Sequence, residues 1–506
     1  MAGDNETSWK EIMTIKTDQQ EIQAFLTDAS NYKGFCEAVY FPANSAETAE
    51  AVLQASNKGQ KITVAGSGTG LTGARVPEGG IVIATEKMNR ICEINKEDLY
   101  AIVEPGVILS SLQAAVDEKQ LLYPPDPTET SCFIGGTVAT NASGARTFRY
   151  GPTRDYIEAL EIVLPNSHIA RLERGSVLAK DYKLEFADTE GEKYIINLPD
   201  YKMPAVKNAS GFYVKPGMDA IDLFIGSEGS LGIITKIKLK LLAKPEKIIS
   251  CVVFFNDEED ALKFIDESRN ISVENRNAPG KQEARALEYF DENSLLFLGE
   301  DFPQIPANSK AAVWFEQEAT LANEDEMLEL WLNVISRCNG NEETVWFASN
   351  EKEQKDIHAF RHAISAKVNE YIARNNYRKL GTDVAVPDAV FGEFYYYCKK
   401  IVGESGIRFV AYGHFGNSHI HLNMLPESAE QFTAGKELYH SICKKAIELK
   451  GTISAEHGVG KIKTGYLVDM YGKENIKQMA ELKRVFDPKF LLGAGNIIPQ
   501  SIIDEV

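Results

Sequence analysis

Two hydrophobic periods alternate along the chain. "EAVYFPANSAETAEAVLQASNKGQKITVAGSG" reads as strand, helix, strand. Its middle part opens on Ser45, carries an early glutamate and repeats apolar residues at helical spacing. "KITVAG" is a short β-rich run closed by glycine. "GGIVIAT" and "YAIVEPGV" predict further strands, "ILSSLQAAVDEKQ" a helix, and "YIEALEIVLPNSHIARL" two strands about a Pro-Asn turn. Residues 1 to about 20 are polar and read as a loosely ordered lead, and a polar insertion spans about 175–215. "DLFIGSEGSLGIITKIKLKLLAKPEK" predicts a glycine-rich turn and a long strand stopped by Pro245, where a domain boundary is placed. From about 246 to 430, strands ("IISCVVFFN", "KAAVWFEQE", "RFVAYGH") mix with amphipathic helices. A helix near 428–450 follows, with Gly451 as its expected C-cap. The pattern mixes strands and helices throughout, with one boundary at Pro245 and a further helical stretch beyond about 430.

Composition narrows the classes. The 506 residues carry a formal charge of −19, which disfavours nucleic acid or anionic lipid as a partner held by a general field. No apolar run approaches the ~20 residues that cross a bilayer, and "MAGDNETSWKEIM" has neither the basic nor the apolar region of a secretory signal. The seven cysteines form no CxxC pair, so neither a disulfide framework nor a cysteine-held cluster is expected, and a reducing, cytoplasmic setting fits.

Candidate chemistry lies in small-residue loops and in histidines. "VAGSGTGLTGARVPEGG" satisfies G-x-G-x-x-G through Gly68, Gly70 and Gly73, but Pro77, Gly79, Gly80 and a strand follow where a dinucleotide fold needs a helix. Consecutive glycine-rich N–H groups can instead form an anion nest, and glycine lets the chain approach a phosphate closely. Two more stretches, "PPDPTETSCFIGGTVATNASGAR" (124–146) and "GSEGSLGIIT" (226–235), are equally dense in small residues, and three such loops beside apolar strands suggest one large flat ligand. Of only 8 histidines, three (His414, His419, His421) fall in "GHFGNSHIHLN" and a fourth, His457, in "SAEHGVGK". On a strand, His419, His421 and Asn423 share one face, opposite Ile420, Leu422 and Met424, and His414 can point at His421 across the turn. Two imidazoles with a carboxylate, Glu456 being the natural third donor, suit a divalent metal with positions left open. His358 and His362 form an i, i+4 pair without the glutamate of HExxH. His168 and His440 are expected to be a surface and a structural residue.

The three loops, in this order and spacing, resemble the FAD-binding domain of the vanillyl-alcohol oxidase type flavoproteins. More narrowly, the chain over roughly 35–500 resembles the branch of D-lactate, glycolate and D-2-hydroxyglutarate dehydrogenases. That resemblance implies a two-part α+β FAD domain, with 246–430 as an inserted α+β substrate (cap) domain and 431–506 as the segment completing the active site. It implies flavin contacts from Gly66, Ser67, Gly68, Thr69, Gly70 and Leu71 in the first loop. The second would contribute Asp126, Ser131, Gly135, Gly136, Thr140, Asn141 and Gly144, the third Glu228, Gly232 and Ile233, and the tail Asn496. No histidine lies in these loops, so FAD is expected to be non-covalent. By position in the branch's GHxGDGNxH and EHGxG patterns, His414, His421 and Glu456 would be metal ligands, with zinc or manganese the expected ion, and His457 the general base. The turn departs from that pattern: Asn417, Ser418 and His419 stand where Asp-Gly-Asn is usual. Arg361 would clamp the substrate carboxylate, with Ser365 one turn on, and Lys379 and Asn423 would assist. The implied reaction is oxidation of a D-2-hydroxy acid to the 2-oxo acid by hydride transfer to flavin N5. D-lactate is the first expectation, D-2-hydroxyglutarate or glycolate the next. Electrons would leave to a separate electron-transfer flavoprotein, cytochrome or quinone. A cytoplasmic protein, free or peripheral to the inner face of a membrane, and a homodimer are compatible with the same resemblance. Two readings of other classes share the flavin fold: an alkyl-glycerone-phosphate synthase-like transferase and a flavin-carrying electron-transfer subunit. A sugar or aldonolactone oxidase is a further one.

Overall fold

A computed structural model describes residues 13–348, 350–374 and 377–506. The polar lead up to residue 12 therefore lies outside the described residues, while Thr14–Lys16 already form a strand.

The amino-terminal unit contains two sheets. One has the order Thr14–Lys16, Ala38–Phe41, Ile81–Ala84, Ile62–Ala65, with an antiparallel first pair and parallel pairs beyond it. Parallel pairing requires a crossover, and the helix Ser45–Asn57 provides it. Its cap is Asn44 rather than Ser45: Asn44 accepts from Glu47 N, and Glu47 returns a bond to Ala43 N. Ser45 is thus the first helical residue. The second sheet is antiparallel throughout, in the order Ile91–Asn95, Tyr100–Val103, Ile233–Lys240, Ile157–Val163, Ile169–Glu173. The stretch expected to be a polar insertion contains the hairpin Lys183–Ala187 with Lys193–Asn197. Leu184, Phe186, Tyr194 and Ile196 alternate with exposed residues and enter the main core, so a period of two is hidden in a polar composition.

Residues 247–424 build an eight-stranded antiparallel sheet, whose main path runs Trp346–Ala348, Lys247–Phe255, Ala311–Ala319, Ala284–Asp291, Phe409–Gly413, His419–Met424, Leu380–Gly381. Both faces are covered. Ile249, Cys251, Val253 and Phe255 pack under the helices Glu258–Glu274, Glu324–Arg337 and Phe391–Glu404, whereas Val252 and Phe254 meet Glu351–Arg374. This accounts for near-continuous apolar runs where a one-sided sheet would alternate.

The helix Ala429–Glu448 ends with Leu449 and then Lys450 at φ 61°, so lysine and not Gly451 takes the left-handed position. Gly451 is needed for a different reason: a Cβ there would lie 2.3 Å from Ala385 O. The chain then returns to the first unit. Thr464–Tyr471 and Lys473–Phe486 bury Leu467, Met479 and Phe486 in its main core, and Leu492 bridges to Ile62. All seven cysteines are free, and no helix among the described residues is long and apolar enough to cross a membrane.

Candidate active site

The three small-residue segments line one cavity of about 270 Å³. Gly66 to Leu71, Gly135, Gly136, Thr140, Glu228 and Gly232 are in its wall, with Glu456 and His457 at one end. The first loop opens no helix, as expected, but the second contains the short helix Ile134–Thr140. The cavity fits an extended ligand that needs close backbone: a Cβ on Gly136 would meet no heavy atom within 4 Å, and one on Gly66 only Phe133 at 3.9 Å. Other expected contacts do not line the cavity. Asn141 accepts from Arg154 N at 2.9 Å, and Asp126 pairs with Arg146 at 3.5 Å. Gly144 packs on Asp126 O, Ser131 bonds Glu129, and Asn496 donates to Ala74 O and Glu228 O. Ile233 faces a separate core cluster and its neighbour Ile234 lines the cavity, the parity of a strand read one residue early. Ala139, Ala142 and Ser143 supply wall that the sequence had put at Asn141 and Gly144.

The loop that carries Glu456 and His457 is docked on all three segments. Thr72 Oγ1 donates to His457 O at 3.4 Å, and Ser143 Oγ to Glu456 Oε2 at 3.3 Å. Glu228 accepts from Val459 N and Gly460 N, each at 2.6 Å. Glycine is required at 460: its φ is 52° and a Cβ would lie 2.1 Å from Thr72 O. Burial pushes the Glu228 carboxyl up to about 7 despite these two donors.

The histidine turn brings the other half. Phe409–Gly413 and His419–Met424 pair antiparallel, and Ser418 turns the chain at φ 51°, its Oγ donating to Asp388 at 2.6 Å. Ile420, Leu422 and Met424 enter the core on one face, and the imidazoles occupy the other. His421 Nε2 lies 3.1 Å and His414 Nε2 3.3 Å from Glu456 Oε1. Each ring holds an acceptor on its far side: His414 Nδ1 meets Glu288 Oε1 at 2.5 Å, and His421 Nδ1 meets Thr382 O at 3.2 Å. Such outer partners fix the ring and leave the inner nitrogen as the donor atom. One ligand atom each from His414, His419, His421 and Glu456 lies within 4.8 Å of the others. His419 Nδ1 is buried without a partner, a condition that costs ~1–3 kcal/mol unless something fills it. The donor set and this orphaned nitrogen fit a divalent cation.

Glu456 Oε2 is held by Lys207 Nζ at 2.7 Å, and the lysine side chain is buried. Burial opposes the charge on Glu456, but Lys207 and His414 outweigh it and keep the carboxyl well below its ordinary range. Glu288 joins a second member: Arg361 donates to its other oxygen at 3.0 Å and to Thr128 Oγ1, on the cavity wall, at 2.8 Å. One buried carboxylate therefore ties Arg361 to His414. Ser365 Oγ lies 3.2 Å from Tyr412 OH, and the pairing of Gly381 with Asn423 brings half-buried Lys379 to the same edge. His457 stacks on His421 with ring centroids 5.5 Å apart. Its backbone N–H donates to Asp383 Oδ2 at 3.0 Å, its Nδ1 lies 3.4 Å from the same oxygen, and burial pushes it down to about 4. His358 and His362 face each other, Nε2 to Nε2 at 2.9 Å, His362 directly after Arg361 and His358 one turn before it. His168, expected at the surface, is half-buried against Asp188 at 2.8 Å, and His440 is exposed on its helix.

Lys207, Glu288 and Asp383 were not anticipated. Two left a trace, an acid inside an apolar strand ("ALEYF") and inside "GTDVAVP". Lys207, 249 residues from Glu456, left none.

The small-residue loops and their cavity fit a flavin, and the chain belongs to the vanillyl-alcohol oxidase type FAD family. Residues 36–173 match the FAD binding domain and residues 244–497 the C-terminal domain of FAD linked oxidases. The chain is 31% identical over 474 residues to the glycolate oxidase subunit GlcD of Bacillus subtilis (strain 168), covering 92% of this chain and 90% of that protein. It is 30% identical over 472 residues to a D-lactate dehydrogenase of Anaerostipes hadrus, covering 91% and 89%. Among solved structures, 4-ethylphenol oxidase from Gulosibacter chungangensis shares the fold, with a TM-score of 0.69 at 17% identity over 96% of this chain and 95% of that one. The protein is an FAD-dependent oxidoreductase of the 2-hydroxyacid dehydrogenase type.

Proposed function

We propose that the enzyme oxidises a D-2-hydroxy acid to the 2-oxo acid, D-lactate before D-2-hydroxyglutarate or glycolate. FAD would be bound non-covalently, and His414, His421 and Glu456 would hold a divalent ion, zinc or manganese. The observation that carries this reading is the docking of the 456–460 loop on Thr72, Ser143 and Glu228. Glu456, which His414 and His421 both approach, and His457 line one end of the cavity that would hold the flavin, and this supports the reading.

When bound, the flavin supplies a two-electron acceptor and the ion a Lewis acid. The chain's residues do the rest. Arg361, fixed on one side by Glu288, presents its guanidinium to the substrate carboxylate, and Asn423 and Lys379 orient that group. His457 is neutral above about pH 4 and so is ready to take the hydroxyl proton. Lys207 and Arg361 each balance a buried carboxylate, Glu456 and Glu288, so that those charges do not repel an anionic substrate. Residues 1–245 would form the flavin domain, 246–430 the substrate domain, and 431–506 the segment completing both; a separate carrier would reoxidise the flavin.

Dye-linked turnover with paired D- and L-2-hydroxy acids tests the assignment. Activity confined to D isomers and lost on dialysis against a chelator is expected; absence of turnover with every 2-hydroxy acid would overturn it.

A further inference from the structure

The strand that carries His421 also carries His419, two residues earlier on the same face and wholly buried. His419 Nε2 lies 3.0 Å from Asp383 Oδ1. Asp383 is itself inaccessible and accepts from Ser454 Oγ, from the backbone N–H groups of Glu456 and His457, and from Lys463 Nζ. A carboxylate surrounded by donors is an acceptor toward His419 as well, so the imidazole proton sits on Nε2. The lone pair is then on Nδ1, the atom that is buried and has no hydrogen-bond partner. His414 and His421 are built the same way: each gives one nitrogen to an outer acceptor and keeps the other for the cluster around Glu456. The three rings are mutually close, with centroids 4.4 Å apart for His419 and His421 and 5.1 Å for His414 and His419.

We infer that His419 is a fourth protein ligand of the divalent ion, through Nδ1, with Asp383 as its outer carboxylate. This rests on the proposed metal reading and goes beyond it, because it changes the donor set from two imidazoles and a carboxylate to three imidazoles and a carboxylate. Four protein donors close a tetrahedral shell. A substrate oxygen can then reach the ion only if it accepts five or six ligands, so the site selects for ions with that preference.

The test uses the full chain with FAD bound, stripped of metal and titrated with Co(II), and with Zn(II) in competition with a chromophoric chelator. Wild type is expected to bind both, with visible Co(II) bands that report its coordination. His419→Asn is expected to bind Zn(II) more weakly by about 100-fold or more and to shift the Co(II) bands. X-ray absorption at the zinc edge of the wild-type protein, which needs no variant, should count three imidazoles. Failure of wild type to bind either ion would overturn the metal reading and this inference together. Binding by wild type with two imidazoles, and an unchanged H419N affinity and spectrum, would overturn the ligation by His419 alone.

Discussion

Glu288 is the carboxylate on which two functional side chains depend, and replacing it by glutamine isolates its charge. Burial works against ionisation, but the His414 imidazolium and the Arg361 guanidinium outweigh it and hold the carboxyl down at about 2, from an ordinary 4.5. That drop is worth about 3 kcal/mol to the folded state at neutral pH. The unfolded chain binds the proton first as the medium is acidified, so the contribution is complete well above pH 4.5 and is lost as pH falls through about 2. Glu288→Gln keeps the shape and removes the charge. In metal-free protein it should destabilise the substrate unit by about 3 kcal/mol at pH 7 and by about 2 kcal/mol at pH 3.5. Trp314, Trp331 and Trp346 lie in or against the sheet that bears Glu288, so urea unfolding followed by tryptophan fluorescence reports this unit. A loss below about 1 kcal/mol at pH 7, or a loss that grows on acidification, would refute the reasoning.

Three further outcomes follow from particular contacts. Glu228 keeps its proton up to about pH 7 in the folded state, whereas an unfolded carboxyl ionises from about 4.5, so stability should fall with rising pH across that window. Thermal scans of flavin-free Glu228→Gln should therefore gain on wild type between pH 4.5 and 7; a pH-independent offset would contradict the assignment. Gly136→Val projects a side chain into the open part of the cavity, so the protein should fold normally but be purified without flavin absorbance; stoichiometric FAD would show that the ligand lies elsewhere. His457→Asn should lower kcat by ~10²–10⁴-fold with FAD and metal content unchanged, and near-wild-type turnover would remove His457 from the chemistry.

The sequence was most informative where a local period coincided with an unusual residue type. His419, His421 and Asn423 could be placed on one face because strand geometry admits no other arrangement of alternate residues, and the structure buries Ile420, Leu422 and Met424 opposite them. The small-residue segments were legible as cavity wall for a similar reason: glycine at several consecutive positions has few purposes beyond turns and close approach. Reading failed by one residue at Ile233, where only the sheet's packing decides which parity faces the ligand. It failed at Asn44 because the cap and the first helical residue are both good capping types. Long-range partners were out of reach. Lys207 meets Glu456 and Arg361 meets Glu288 through tertiary closure, and although Glu288 stands out as an acid in an apolar strand, no local spacing names its partner. The hairpin Lys183–Ala187 with Lys193–Asn197 was concealed because its exposed positions are charged enough to mask four buried ones.

The central claim is that donor set, base and flavin cavity act on one substrate. Anaerobic mixing of the purified protein with D-lactate, and separately with D-2-hydroxyglutarate, reads it directly through the flavin band near ~450 nm. The account predicts bleaching by a D acid, abolished by a chelator and restored by adding back a divalent ion. A band that bleaches equally with and without the chelator, or that responds to no 2-hydroxy acid, would contradict it.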